Sequence, residues 1–127
     1  MLNTSENYKD YTILYVEDET IVRSNVEVCL NYIFNVVIAE NGKEGLEKFT
    51  SEKVDLIITD INMPLKDGIS MLKEIRDINP TIPCIITSAV DLDIIEKIKS
   101  LGVSKCIAKP FDMKDLLNCS MKVLDSM

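Results

Sequence analysis

The stretch that decides the fold is Thr12–Glu19, which reads TILYVEDE. Its first part, Thr12–Val16, is apolar and β-branched, shows no alternation, and stops abruptly at Glu17-Asp18-Glu19. A run so short and so continuous reads as a strand covered on both faces, as in a parallel sheet. The same kind of run recurs at Val36–Ala39 (VVIA), Leu56–Thr59 (LIIT), Cys84–Thr87 (CIIT) and Cys106–Ala108 (CIA). Helical patterns lie between them. Val22, Val26, Cys29 and Ile33 share one helical face, as do Met71 or Leu72 with Ile75 and Ile78, and Ile94 with Ile98 and Leu101. Leu92 falls off that last stripe and is expected to be exposed. Met113, Leu116, Leu117, Ser120, Val123 and Leu124 make a final face, with Asp112 placed to cap it and Asp115 three residues on. Strand and helix alternate five times. That predicts an α/β fold: a five-stranded parallel doubly wound sheet, order 2-1-3-4-5, with five helices on its two faces.

Outward from this frame, the 127 residues suit one domain with a full core. Fourteen Lys and Arg against 21 Asp and Glu give a net charge of −7, which argues against direct nucleic-acid binding. With no histidine in the chain, His-dependent triads, His-ligated zinc and phosphohistidine formed on this chain are excluded. No apolar run approaches a membrane span, and Met1–Tyr11 (MLNTSENYKDY) lacks the apolar core of a signal peptide. The expected location is cytoplasmic. Cys29, Cys84, Cys106 and Cys119 form no C-x-x-C pair and read as small buried hydrophobes of a reducing compartment.

Ligands of doubly wound sheets bind outside the carboxyl ends of the strands, at the switch point between the first and third. Glu17, Asp18 and Glu19 follow strand 1, Asp60 follows strand 3, Ser88-Ala89 follows strand 4 and Lys109-Pro110 follows strand 5. Converging carboxylates at Glu17, Asp18 and Asp60 would repel by about 4 kcal/mol per pair at 4 Å and an effective dielectric near 20. A cation or raised pKa values must relieve this. Oxygen donors without His or Cys favour Mg²⁺ over Ca²⁺. Lys109 supplies a point charge suited to a phosphoryl group, Ser88 a hydroxyl donor, and a carboxylate can act as the nucleophile. Each feature alone has a plainer reading, as a helix-dipole charge, a cap, a turn donor or a loop lysine. Together they fall in order on the one rim assigned to ligands.

At these residues the sequence resembles the receiver domain of bacterial two-component response regulators, from Tyr11 to the C-terminus, with residues 1–10 a short polar extension and 11–127 the domain. The resemblance rests on VEDE at Val16–Glu19, DINMPLKDG at Asp60–Gly68, PCIITSA at Pro83–Ala89 and GVSKCIAKPF at Gly102–Phe111. It implies a flavodoxin-like fold with Asp60 as phosphoacceptor. Glu17 and Asp18 would be the acidic pair around Mg²⁺, the backbone carbonyl of Asn62 a further ligand, Ser88 the hydroxyl that reaches the phosphoryl group, and Lys109 the bridging lysine. It also implies a cis Lys109-Pro110 bond, a loop shaped by Met63 and Pro64, and Gly68 opening helix 3. Asn62 and Val90 fall where the family tunes phosphoryl lifetime. Cys106 stands where the family often has Tyr or Phe, which puts the usual aromatic switch in question.

The implied function is a phosphorylation switch, not a conventional enzyme. A sensor histidine kinase or a histidine phosphotransfer protein would supply the phosphoryl group, docking along helix 1. The face of helix 4, strand 5 and helix 5 would then shift toward a downstream target, an attached output domain or a homodimer. Two other readings stand beside it: a pseudo-receiver acting only as an interaction module, and a Mg²⁺-dependent phosphohydrolase or TOPRIM-like domain. The latter families want D-x-D after a strand, and here the third residue is Asn62. No output segment follows the last helix, which fits a stand-alone regulator or a receiver from a longer protein.

Overall fold

The computed structural model describes residues 8–88 and 92–126, without the side chains of 92–95. Among them are five strands: β1 (Thr12–Val16), β2 (Asn35–Ala39), β3 (Leu56–Thr59), β4 (Cys84–Ser88) and β5 (Lys105–Ala108). Five helices alternate with them: α1 (Thr20–Asn31), α2 (Gly42–Ser51), α3 (Gly68–Ile78), α4 (Leu92–Lys99) and α5 (Met113–Asp125). The sheet is parallel throughout, in the order β2-β1-β3-β4-β5. This is the expected doubly wound α/β fold, with its switch point between β1 and β3.

The continuous apolar runs are explained by two cores. Successive strand residues point to opposite faces, so a strand covered on both sides must be apolar at every position. Leu14, Val16, Ile57 and Ile86 pack on one side with Met71, Leu72 and Ile75 of α3. Ile13, Tyr15, Leu56, Ile58 and Ile85 pack on the other with Val26, Leu30, Leu116 and Leu124 of α1 and α5. Tyr8, inside the polar first ten residues, is buried against Phe34 and its hydroxyl donates to the Asp125 carboxylate at 2.8 Å.

Several expectations are corrected. The outer strands β2 and β5 are less buried than the inner three, because each lacks a hydrogen-bonded neighbour along one edge. Cys106 on β5 is therefore exposed, and Cys29 and Cys119 are half-buried; Cys84, on central β4, is fully buried, and burial pushes its thiol up to about 12. Helix α1 ends at Asn31, so Ile33 lies in the following turn, and the stripe centres on Val26 and Leu30 rather than Cys29. Ile78, the last residue of α3, is 57% exposed because the chain turns away there. Asp112 caps α5 by accepting the Lys114 N–H. Ala89, Val90 and the side chains of Leu92 and Ile94 lie outside the described residues. Among the described residues, no helix is long and apolar enough to cross a membrane.

Candidate functional site

The parallel sheet ends all five strands on one rim, and the chemistry gathers where β1 and β3 finish side by side. Val16 pairs with Thr59, which puts Glu17 next to Asp60. The Asp60 N–H donates to the Val16 carbonyl at 3.1 Å, locking the two strand ends together. Glu17, Asp18 and Asp60 each offer a carboxylate oxygen within 4.8 Å of the others. Glu17 and Asp60 are buried, and Asp18 is half-exposed.

Lys109 closes the site from the loop after β5. Its Nζ donates to Glu17 Oε1 at 2.7 Å and to Asp60 Oδ2 at 2.9 Å. Its own N–H donates to the Ser88 carbonyl at 3.0 Å, and the peptide to Pro110 is cis. Both Asp60 oxygens are engaged, since Oδ1 accepts the Ile61 N–H at 2.7 Å. Glu17 Oε2 accepts the Glu19 N–H at 3.2 Å.

Electrostatics follow from this packing. Burial raises the Glu17 carboxyl above its ordinary value, and the bonds from Lys109 and the Glu19 N–H only partly oppose it. Burial lowers the Lys109 ammonium, but the bonds to Glu17 and Asp60 outweigh it and the net shift is upward. One ammonium thus meets two of the three clustered carboxylates. Asp18 receives no side-chain bond among the described residues. The donors are all oxygens and the local charge is negative, which suits a hard divalent cation.

The loop after Asp60 is built around a close approach. Gly68 opens α3 behind its cap Asp67, and a Cβ on Gly68 would lie 2.1 Å from the Asp60 carbonyl oxygen. Only glycine lets α3 start that near the strand end. Leu65, at the tip, has φ 67° and is 80% exposed. Asn62 is exposed, and its carbonyl accepts no bond among the described residues. Ser88 ends β4, buried, on the same rim, but its hydroxyl makes no bond to Glu17, Asp60 or Lys109. The structure therefore brings Glu17, Asp18, Asp60 and Lys109 into one cluster and leaves Ser88 and Asn62 beside it.

Sequence reasoning passed over two groups. Arg23 donates from Nη1 to the carbonyls of Glu17 at 2.8 Å and Asp18 at 3.3 Å. No sequence signal marks it, because the missing cap bond of α1 and the carbonyls Arg23 reaches exist only in the folded chain. Among the described residues, Tyr15 and Thr87 carry buried hydroxyls without hydrogen-bond partners. Burial, then the charges of Glu17 and Asp60, raise the Tyr15 phenol and keep it neutral.

The family model described as response regulator receiver domain matches residues 13–120. Sporulation initiation phosphotransferase F of Bacillus subtilis (strain 168) is 36% identical over 118 residues, 88% of this chain and 92% of that protein. Other curated relatives are longer, and the chain spans about half their length. A CheY-like response regulator receiver domain protein from Methanospirillum hungatei JF-1 superposes with a TM-score of 0.87 at 27% identity, covering 91% of this chain and 94% of that one. The CheX-CheY-BeF3-Mg+2 complex from Borrelia burgdorferi matches with a TM-score of 0.82 at 25% identity, covering 89% of this chain and 88% of that one.

Proposed function

Since the chain belongs to the response regulator receiver domain family of two-component signalling, we propose that it is a phosphorylation switch with Asp60 as acceptor. The observation that carries this is the pairing of the Asp60 carboxylate with the Lys109 ammonium at 2.9 Å, inside a ring of two further carboxylates. Glu17, Asp18, Asp60 and the Asn62 carbonyl would hold Mg²⁺. When bound, the ion neutralises phosphoryl oxygens and the carboxylates that would repel them. The similar Borrelia complex contains BeF3 and Mg+2, which supports the assignment.

An Asp60 oxygen attacks phosphorus as the bond from phosphorus to the donor breaks, and the donor atom leaves with the electron pair. The chain has no histidine, so phosphohistidine comes from a sensor histidine kinase or a histidine phosphotransfer protein. The Lys109 ammonium then passes from the Glu17 and Asp60 carboxylates to a phosphoryl oxygen, and the Ser88 hydroxyl turns toward the same group. Because the Lys109 N–H is bonded to the Ser88 carbonyl, movement of Lys109 loads the end of β4 and the β5 edge beside it. A population shift of the α4–β5–α5 face would reach a target, an output domain or a second copy. Water hydrolyses the acyl phosphate and resets the switch. The place of action is the cytoplasm, where such kinases present their phosphohistidine.

The test is intact mass after incubation with acetyl phosphate and Mg²⁺, with Asp60→Ala alongside. One added phosphoryl group that needs both Mg²⁺ and Asp60 is expected. No gain with acetyl phosphate or with a panel of phosphorylated kinases would sink the switch and leave a pseudo-receiver.

A further inference from the structure

Helix α1 starts without the usual fastening. Its cap residue Glu19 makes no side-chain cap bond, and its first turn holds no acidic residue. Arg23 folds back over that start instead, with its side chain only 13% exposed. Among the described residues, one carboxylate comes within 4 Å of it: Glu40, at 3.8 Å and well exposed. A cation near a helix N-terminus opposes the helix dipole. The contacts that hold Arg23 there are the Glu17 and Asp18 carbonyls, at 2.8 and 3.3 Å.

Those two carbonyls belong to the two peptide planes that flank the Asp18 Cα. Fixing both planes fixes the backbone dihedrals at Asp18 and so the direction of its Cα–Cβ bond. No described group bonds the Asp18 carboxylate itself. Glu17, by contrast, is held through its own oxygens by Lys109 and the Glu19 N–H. We infer that Arg23 is a positioning residue for the divalent-cation site, aiming the Asp18 carboxylate through the backbone. This rests on the cation reading given above.

A positioning role and simple electrostatics lead to effects of opposite sign. Removing a positive charge beside a cation site should tighten cation binding by Coulomb's law alone. Removing a positioning residue should weaken it, by about 10–100-fold, as for partners that orient metal ligands elsewhere. The experiment is calorimetric titration of Mg²⁺ into the unphosphorylated chain for wild type, Arg23→Met, Arg23→Lys and Glu40→Gln, with thermal melts in EDTA to establish folding. Arg23→Met is expected to bind Mg²⁺ more weakly. Arg23→Lys should recover only part of the loss, because an ammonium keeps the charge but lacks the fork. Glu40→Gln should bind as wild type does. A folded Arg23→Met that binds as tightly as wild type, or more tightly, overturns the inference. Should Arg23→Met not fold, Arg23→Lys decides, and wild-type affinity there overturns it too. Wild type that binds no Mg²⁺ would overturn the cation reading along with it, whereas wild-type binding with unaffected variants overturns Arg23's part alone.

Discussion

Replacing Lys109 with Met removes the ammonium and keeps an unbranched stem. Glu17 is 0% exposed and would be left with a single bond, from the Glu19 N–H at 3.2 Å. Asp60 would lose the partner of Oδ2, and three carboxylates within 4.8 Å would face each other without a cation. Removing one partner of a buried ion pair costs about 3–5 kcal/mol. The Lys109 side chain is 23% exposed, so water reaches the ammonium and the low end, about 3 kcal/mol, is expected. Glu17, already raised by burial, would rise further and relieve part of the cost by taking up a proton. For a chain of this size the loss corresponds to a fall in Tm of roughly 10 °C. The assay is urea unfolding at pH 7 in EDTA and again in Mg²⁺. The gap between wild type and variant should narrow in Mg²⁺, because the stripped site binds the cation more tightly. A variant within about 1 kcal/mol of wild type in EDTA, or a gap that Mg²⁺ leaves unchanged, would refute the reasoning.

Gly68→Ala places a methyl 2.1 Å from the Asp60 carbonyl oxygen, so α3 must shift; a loss of about 1–3 kcal/mol, read by denaturant unfolding, should accompany slower phosphorylation by acetyl phosphate. Thr87→Val swaps a buried hydroxyl with no partner among the described residues for a methyl, and a gain of about 1 kcal/mol in the same unfolding assay is expected. Glu17 has a folded pKa above its unfolded value, so the native state binds more protons there and the contribution of Glu17 to the stability of the Mg²⁺-free chain is lost as pH rises from about 4.5. Glu17→Gln should remove that contribution in a pH series of urea melts, and an unchanged slope would count against the burial argument.

Much of the fold was legible because its signals are local. Continuous β-branched runs mark strands that are covered on both faces, and β1, β3 and β4 are such strands. The runs at β2 and β5 look alike in sequence but sit at the sheet edges. The exposure of Cys106 is hidden in the sequence for that reason: it depends on how many neighbours a strand has, and a strand does not encode its own place in the order. Ile33 and Ile78 were misplaced for a related reason, since a helical period says which face is apolar but not where the helix stops.

The candidate site divides the same way. Sequence alone determined which side chains stand at the strand ends, because residues that follow parallel strands share one rim whatever their distance along the chain. Only the tertiary structure decided which of them meet. Lys109 reaches Glu17 and Asp60 because the loop after β5 folds back across β4, while the Ser88 hydroxyl on that same rim does not reach them. Gly68 matters through a through-space approach to Asp60, and Arg23 through carbonyls that any residue at 17 and 18 would offer. Periodicity is a property of a single segment and can be read along it. Distances between side chains and carbonyls of different segments are set by how those segments pack, and they exist only once the chain has folded.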